Sequence, residues 1–231
     1  EQGISPGATF SCAPLDWEGQ SFEGCHAGGG SLDMYTALAQ SENAVALRVA
    51  QEVGLDRVIQ TAQRMGITSE LKATPGLILG QSEVNLRDLT GAFGILANRG
   101  VSNHPHLINK ILDSSDCKNI NDVNTCRVIY DYSQNAEANV TVLSPEVADT
   151  MTSLLQGVIQ SGTGRNAYLG LGEAGKTGTT NDNVDLWFVG YVPSQALVTG
   201  IWFGNDDNTP TSGTSANAAQ LWGNYMGQIT R

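Results

Sequence analysis

Basic residues are scarce in this sequence: 12 Lys and Arg stand against 23 Asp and Glu, a net charge of −11. A chain this acidic lacks the positive footprint that a phosphate backbone demands, which excludes nucleic acid as its partner. It equally lacks the Lys/Arg clusters that hold proteins on anionic lipid. Long apolar runs are missing too, and nothing approaches the roughly 18 uninterrupted apolar residues of a bilayer-spanning helix. The opening Glu1-Gln2-Gly3-Ile4-Ser5-Pro6-Gly7 has neither the basic nor the apolar region of a signal peptide, and no initiator Met. It reads as the start of a processed or excised piece, with any anchor upstream. Charged residues make up only 15%, but hydrophobic residues reach 40%, the balance of a folded chain of one or two domains rather than a disordered or fibrous one.

Cysteine is sparse, and no Cys-x-x-Cys pair is present to nucleate a metal site. The four cysteines fall into two local pairs that each close a short polar loop, Cys12 with Cys25 and Cys117 with Cys126. That spacing favours two disulfides and an oxidising compartment. The competing readings are a zinc site drawn from Cys12, Cys25, His26 and a distal cysteine, and free buried thiols.

Residues 1–30 read as loop. Ser31 is the expected cap of a first helix carrying Leu32, Tyr35, Leu38 and Ala39. A second helix runs through Val45 to Val53 and stops at Gly54; a third carries Val58, Ile59, Ala62 and Met65 and stops at Gly66. A fourth spans about Leu86 to Asn98. Between 101 and 142 the runs His106–Leu112 and Arg127–Tyr130 are β-prone. Ser144-Pro145 opens a helix to about Gln160, with cap and first-turn residues in the preferred order. Two strand-like runs, Leu186–Val192 and Leu197–Phe203, flank a hairpin connection at Pro193-Ser194-Gln195. A last helix from about Ser215 carries Leu221, Trp222, Tyr225, Met226 and Ile229 along one side. Helices first and a sheet later, without βαβ alternation, predict an α+β fold. The three histidines, His26 in a loop and His104 and His106 beside Pro105, are read as structural.

The densest chemistry lies at Gly170-Leu-Gly-Glu-Ala-Gly175-Lys176-Thr177-Gly178-Thr179-Thr180. It satisfies the phosphate-loop pattern G-x-x-x-x-G-K-T, but that loop must follow a buried strand and open a helix. Here the preceding Gly162–Tyr168 is not strand-like, and Gly178 to Asn183 are poor helix formers. The alternative is Lys-Thr-Gly as the active-site edge strand of a serine acyl-transferase. Ser41-Glu42-Asn43, at a break between two helices, supplies the Ser-x-Asn element that accompanies it; Ser41 and Asn43 could otherwise simply cap a helix.

With both motifs in this order, the chain resembles the transpeptidase domain of class A (bifunctional) penicillin-binding proteins over nearly all of its length. The likeness includes Leu79-Gly-Gln-Ser-Glu-Val84, Ala92-Phe-Gly-Ile-Leu-Ala-Asn-Arg-Gly100, Gly162-Thr-Gly164, and Asp185-Leu-Trp-Phe-Val-Gly-Tyr191. Thr199-Gly-Ile-Trp-Phe-Gly-Asn-Asp206 and Leu221-Trp222 extend it further. The resemblance implies an antiparallel sheet between helical layers, with residues 1–100 the mainly helical part and 101–231 the sheet part of one domain. It implies acyl transfer on the D-Ala-D-Ala end of a peptidoglycan stem peptide, sensitive to β-lactams. Lys176 would hold charge beside the proton shuttle Ser41. Asn43 would bond the substrate amide, and Thr177 and Thr179 its carboxylate. Gly178 would let the substrate lie along the strand.

The family nucleophile belongs to a Ser-x-x-Lys element upstream of Ser-x-Asn. The two matches here, Ser69–Lys72 and Ser115–Lys118, both lie downstream of Ser41 and read as chance. The expectation is therefore that the chain lacks the N-terminal part of its domain, with the nucleophile before Glu1. The isolated chain would then be inactive and would need the missing segment to fold. Further implications are an upstream glycosyltransferase domain, a membrane anchor placing the domain outside the cytoplasmic membrane, lipid-linked precursor as a partner, and no metal or organic cofactor. The alternatives are a D,D-carboxypeptidase or β-lactamase, in which water resolves the acyl-enzyme, and a non-catalytic penicillin-binding scaffold or sensor.

Overall fold

The computed structural model describes residues 1–26, 28–102, 105–134 and 139–230. His104 lies outside the described residues. The N-terminal 30 residues are not a loop. They form β1 (Thr9–Ser11), β2 (Leu15–Trp17) and β3 (Gln20–Phe22), followed by β4 (Ser31–Asp33). β2 pairs with β3 and β1 with β4, both antiparallel. Strands of three residues are too short to show alternation, so pairing across the chain decides them rather than local pattern. Because Ser31 is spent in β4, it does not cap the first helix. Asp33 does, its Oδ1 accepting the Thr36 N–H at 2.8 Å ahead of α1 (Met34–Gln40).

Helices α2 (Asn43–Val53), α3 (Leu55–Arg64) and α4 (Leu86–Ala97) follow where the apolar spacing places them. Between β5 (Val101–Ser102) and β8 (Val140–Thr141), which pair with each other, a hairpin of β6 (Lys110–Cys117) and β7 (Cys126–Asp131) stands out, its apolar residues largely exposed. The predicted run from His106 enters a strand only at Lys110, because His106 stacks on Tyr132 and contacts Asn109 instead. Both predicted cysteine pairs are bonded, Cys12–Cys25 and Cys117–Cys126, which removes the zinc and free-thiol readings.

α5 (Pro145–Gln160) begins as read, with the Ser144 hydroxyl accepting the Val147 N–H. The main sheet is antiparallel with order β11-β10-β9, formed by β9 (Ala174–Thr179), β10 (Leu186–Val192) and β11 (Leu197–Phe203). α6 (Ser215–Ile229) closes the chain. Alternate residues of β10 face opposite layers. Phe188 and Val192 pack with Trp222 and Met226 of α6, and Tyr191 packs with Ile95 and Leu96 of α4 and Leu155 of α5. The sheet is thus held between helical layers, as the α+β reading predicts. Trp222 is fully buried, and its Nε1 donates to the carbonyls of Gly190 (3.3 Å) and Thr199 (3.1 Å), tying α6 to both β10 and β11. Each such buried large side chain contributes about 1.5–3 kcal/mol.

The apolar stripe of α6 differs from its sequence reading. Ala218, Ala219, Trp222, Gly223 and Met226 face inward, while Leu221, Tyr225 and Ile229 are exposed. A Cβ at Gly223 would lie 2.9 Å from the Asn166 carbonyl oxygen, so the helix approaches through its smallest residues. Tyr35, expected on the buried side of α1, is also exposed.

Candidate active site

Ser41 ends α1 in the left-handed region, φ 59° and ψ 44°. Its N–H donates to the Leu38 carbonyl and the next N–H, of Glu42, to that of Ala37, so the helix closes with the 5→2 and 6→1 bonds of a Schellman turn. Glycine is the usual residue there; here a serine stands, and its hydroxyl is put to use. Lys176 Nζ donates to Ser41 Oγ at 2.9 Å and to the Thr177 carbonyl at 3.0 Å. Burial pulls the Lys176 ammonium down to about 8 from 10.5. Glu42, not Ser41, occupies the cap position of α2, and Asn43 is the exposed first residue of that helix.

Lys-Thr-Gly lies on a strand, not in a loop that opens a helix, which removes the phosphate-loop reading. β9 pairs with β10 on one side, and no strand among the described residues pairs with its other edge. Thr177 is buried and Thr179 exposed, with Gly178 between them. The Thr177 hydroxyl bonds that of Thr163 at 2.6 Å. Thr163 in turn donates its N–H to the Ala39 carbonyl at 3.1 Å. A Cβ on Gly162 would fall 1.9 Å from that same oxygen, so the chain passes α1 where only glycine fits. The path from Ala39 through Thr163, Thr177 and Lys176 back to Ser41 is therefore a closed ring of contacts.

The structure brings Ser41, Lys176, Thr177 and the Gly162–Gly164 turn together. It leaves both Ser-x-x-Lys matches in unsuitable settings. Ser69–Lys72 has no regular structure, and Ser115 sits on β6 with its hydroxyl donated to Asp113 at 2.6 Å. Neither opens a helix. One contact was not legible in the sequence: His26 offers both its N–H and its ring Nδ1 to the Glu42 carboxylate, each at 3.0 Å.

Known proteins share this architecture. The chain is 32% identical over 226 residues to a penicillin-binding protein 1A of Rickettsia bellii, covering 89% of this chain and 28% of that protein. It is 31% identical over 204 residues to a penicillin-binding protein 1A of Clostridium acetobutylicum, covering 85% and 23%. The chain thus spans less than a third of the length of these relatives. Among solved structures, it superposes on the penicillin-binding protein PonA1 of Mycobacterium tuberculosis with a TM-score of 0.82 at 25% identity, covering all of this chain and 64% of that one. PonA1 has also been solved in complex with penicillin V, with a TM-score of 0.83. The sequence profile of the penicillin binding protein transpeptidase domain matches residues 1–227, and the chain belongs to that family.

Proposed function

We propose that the chain is the Ser-x-Asn and Lys-Thr-Gly portion of a penicillin-sensitive serine D,D-transpeptidase domain of the class A type. The observation that carries this is the 2.9 Å contact between Lys176 Nζ and Ser41 Oγ, which joins the two motifs across 135 residues of chain. A seryl hydroxyl from a Ser-x-x-Lys element outside these residues attacks the carbonyl of the penultimate D-alanine. The C–N bond to the terminal D-alanine breaks, and Ser41 passes a proton to the departing amine. The amine of a neighbouring stem then attacks the ester and releases the serine. Lys176 keeps positive charge beside Ser41 and the substrate carboxylate, which Thr177 and Thr179 bond. The Thr179 N–H serves as one oxyanion donor. Asn43, exposed at the mouth of the turn, bonds the substrate amide. The open edge of β9 accepts the substrate backbone as an added strand, with Gly178 leaving room for it.

The same reading assigns β-lactams, peptidoglycan stem peptides and lipid-linked precursor as ligands. It places the domain on the outer face of the cytoplasmic membrane, behind an upstream glycosyltransferase domain and anchor. Two bonded cysteine pairs support an oxidising compartment. The outer edge of β11, which pairs with no strand among the described residues, supports a further segment that adds strands there.

The test is acylation of the longer parent protein by labelled penicillin, with the adduct mapped by peptide mass spectrometry. An adduct on a serine of a Ser-x-x-Lys element preceding Glu1 is expected. An adduct on Ser69 or Ser115 would relocate the nucleophile. No adduct on a folded parent would favour a non-catalytic scaffold.

A further inference from the structure

Glu42, the middle residue of Ser41-Glu42-Asn43, is only 4% exposed. A carboxylate in such a place is costly unless its oxygens are bonded. Its side chain does not cap α2, although the residue sits at the cap position. Oε2 is instead taken by His26, from both the backbone N–H and ring Nδ1. The His26 side chain is itself 80% exposed, so it lies over the carboxylate rather than filling a core. His26 directly follows Cys25, whose sulfur is bonded to Cys12 and whose N–H donates to the Cys12 carbonyl at 3.0 Å. Cys12 continues from β1, which pairs with β4, the strand leading into α1. The seven-residue α1 is thus gripped at both ends by the two segments that flank one disulfide-closed loop: at its start by β1 through β4, and at its end by His26 through Glu42.

We infer that Glu42 is a positioning residue for Ser41 and Asn43, held by His26 and, behind it, by the Cys12–Cys25 disulfide. The inference rests on the acyl-transfer reading above, in which Ser41 moves the leaving-group proton and Asn43 holds the substrate. Ser41 occupies a backbone region that a non-glycine residue keeps only when its surroundings over-determine it. The buried carboxylate one residue later supplies that constraint. If His26 is withdrawn, Glu42 must find other donors, and the route is to open the turn towards water. Ser41 Oγ then leaves Lys176 Nζ, and Asn43 turns with it.

The experiment uses the parent protein and two readouts, penicillin acylation kinetics and hydrogen exchange of the peptide containing residues 38–45. Glu42→Leu should lower the acylation rate at saturating penicillin by about ten- to a hundredfold, the scale of a misplacement on the order of 1 Å. The affinity of the initial complex should change much less. Glu42→Gln, whose amide oxygen can still accept the His26 N–H, should return most of the rate. His26→Ala, a change at an exposed side chain that leaves the fold intact, should give a loss of the same kind but smaller. Cys12→Ala/Cys25→Ala should follow His26→Ala, while Cys117→Ala/Cys126→Ala should match the parent. In each impaired variant, exchange at Ser41 and Glu42 should quicken. A role in stability alone would lower the melting temperature of Glu42→Leu and leave its acylation rate and local exchange unchanged; that result overturns the inference, as does a Glu42→Gln variant no better than Glu42→Leu. If the parent itself takes no penicillin, the acyl-transfer reading fails. The exchange readout then still decides: unchanged exchange in Glu42→Leu, which loses both the ring and the backbone contact of His26, removes the brace as well.

Discussion

The left-handed serine at position 41 sets a local conflict between folding and chemistry. Glycine would adopt φ 59° without strain, so Ser41→Gly should be more stable than Ser41→Ala, which lacks the same hydroxyl, by about 0.5–1 kcal/mol. The same change removes the hydroxyl that Lys176 contacts, and acylation of the parent should fall by about a hundredfold or more, within the range assigned to a positioned proton carrier. Thermal melts and labelled-penicillin kinetics on one preparation check both signs. Lys176 carries the second prediction. Its ammonium titrates at about 8 in the fold against 10.5 when unperturbed. In the free protein the charge is present below that value and lost as pH rises through it. The efficiency of acylation by a carboxylate-bearing β-lactam should therefore decline with a midpoint near 8, and a flat profile through that pH would remove the charge from the mechanism. Stability runs the opposite way. The unfolded lysine protonates first as pH falls from 10.5, so the penalty for burying the charge builds up towards 8 and is complete below it. Both key residues were legible in the sequence, because Lys-Thr-Gly and Ser-x-Asn are contiguous. The His26–Glu42 pair was not, because nothing local links residues 16 apart.

Three elements meet at the site: the end of α1, the turn after α5 and the strand β9. The turn is the joint between the other two, since Thr163 bonds α1 through its backbone and β9 through its hydroxyl. Gly162→Ala would drive a methyl into the Ala39 carbonyl and should cost about 1–3 kcal/mol, the usual range for overpacking, with the loss felt first as weaker penicillin acylation. Denaturant melts of the parent and variant measure it; an unchanged midpoint would show that the turn can shift freely. At this scale the sequence was informative wherever a boundary carries its own chemistry. Ser144-Pro145 marks the start of α5, and two apolar β-branched and aromatic runs mark β10 and β11. It was misleading where tertiary packing chooses. Large apolar residues suggested one buried face for α6, yet the helix docks through Ala218, Ala219 and Gly223, which permit a closer approach than Leu221 or Tyr225 would. Likewise Ser31, a good cap in isolation, is claimed by its pairing with Ser11.

At the scale of the molecule, the sheet ends in β11, whose outer edge pairs with no strand among the described residues, and α6 exposes Leu221, Tyr225 and Ile229. An open strand edge and an apolar helix face are surfaces that other chains can join. The 231 residues prepared alone should therefore associate or melt without a sharp transition, and sedimentation and calorimetry would show it. A stable monomer with a cooperative melt would contradict this. The fold class was readable from the order of elements, helices before sheet, but the grip of residues 9–33 on α1 was not, because it depends on three-residue strands and one disulfide. The ring that joins Ala39, Thr163, Thr177, Lys176 and Ser41 has a consequence in time as well as in space. Its Lys176–Ser41 contact closes a loop of 135 residues, and loops that long close only after local structure has formed. During synthesis from the N-terminus, Ser41 is made long before its partner lysine. The ring is thus among the last features the chain acquires, and a half-made domain carries helices before its Ser-x-Asn and Lys-Thr-Gly motifs can meet.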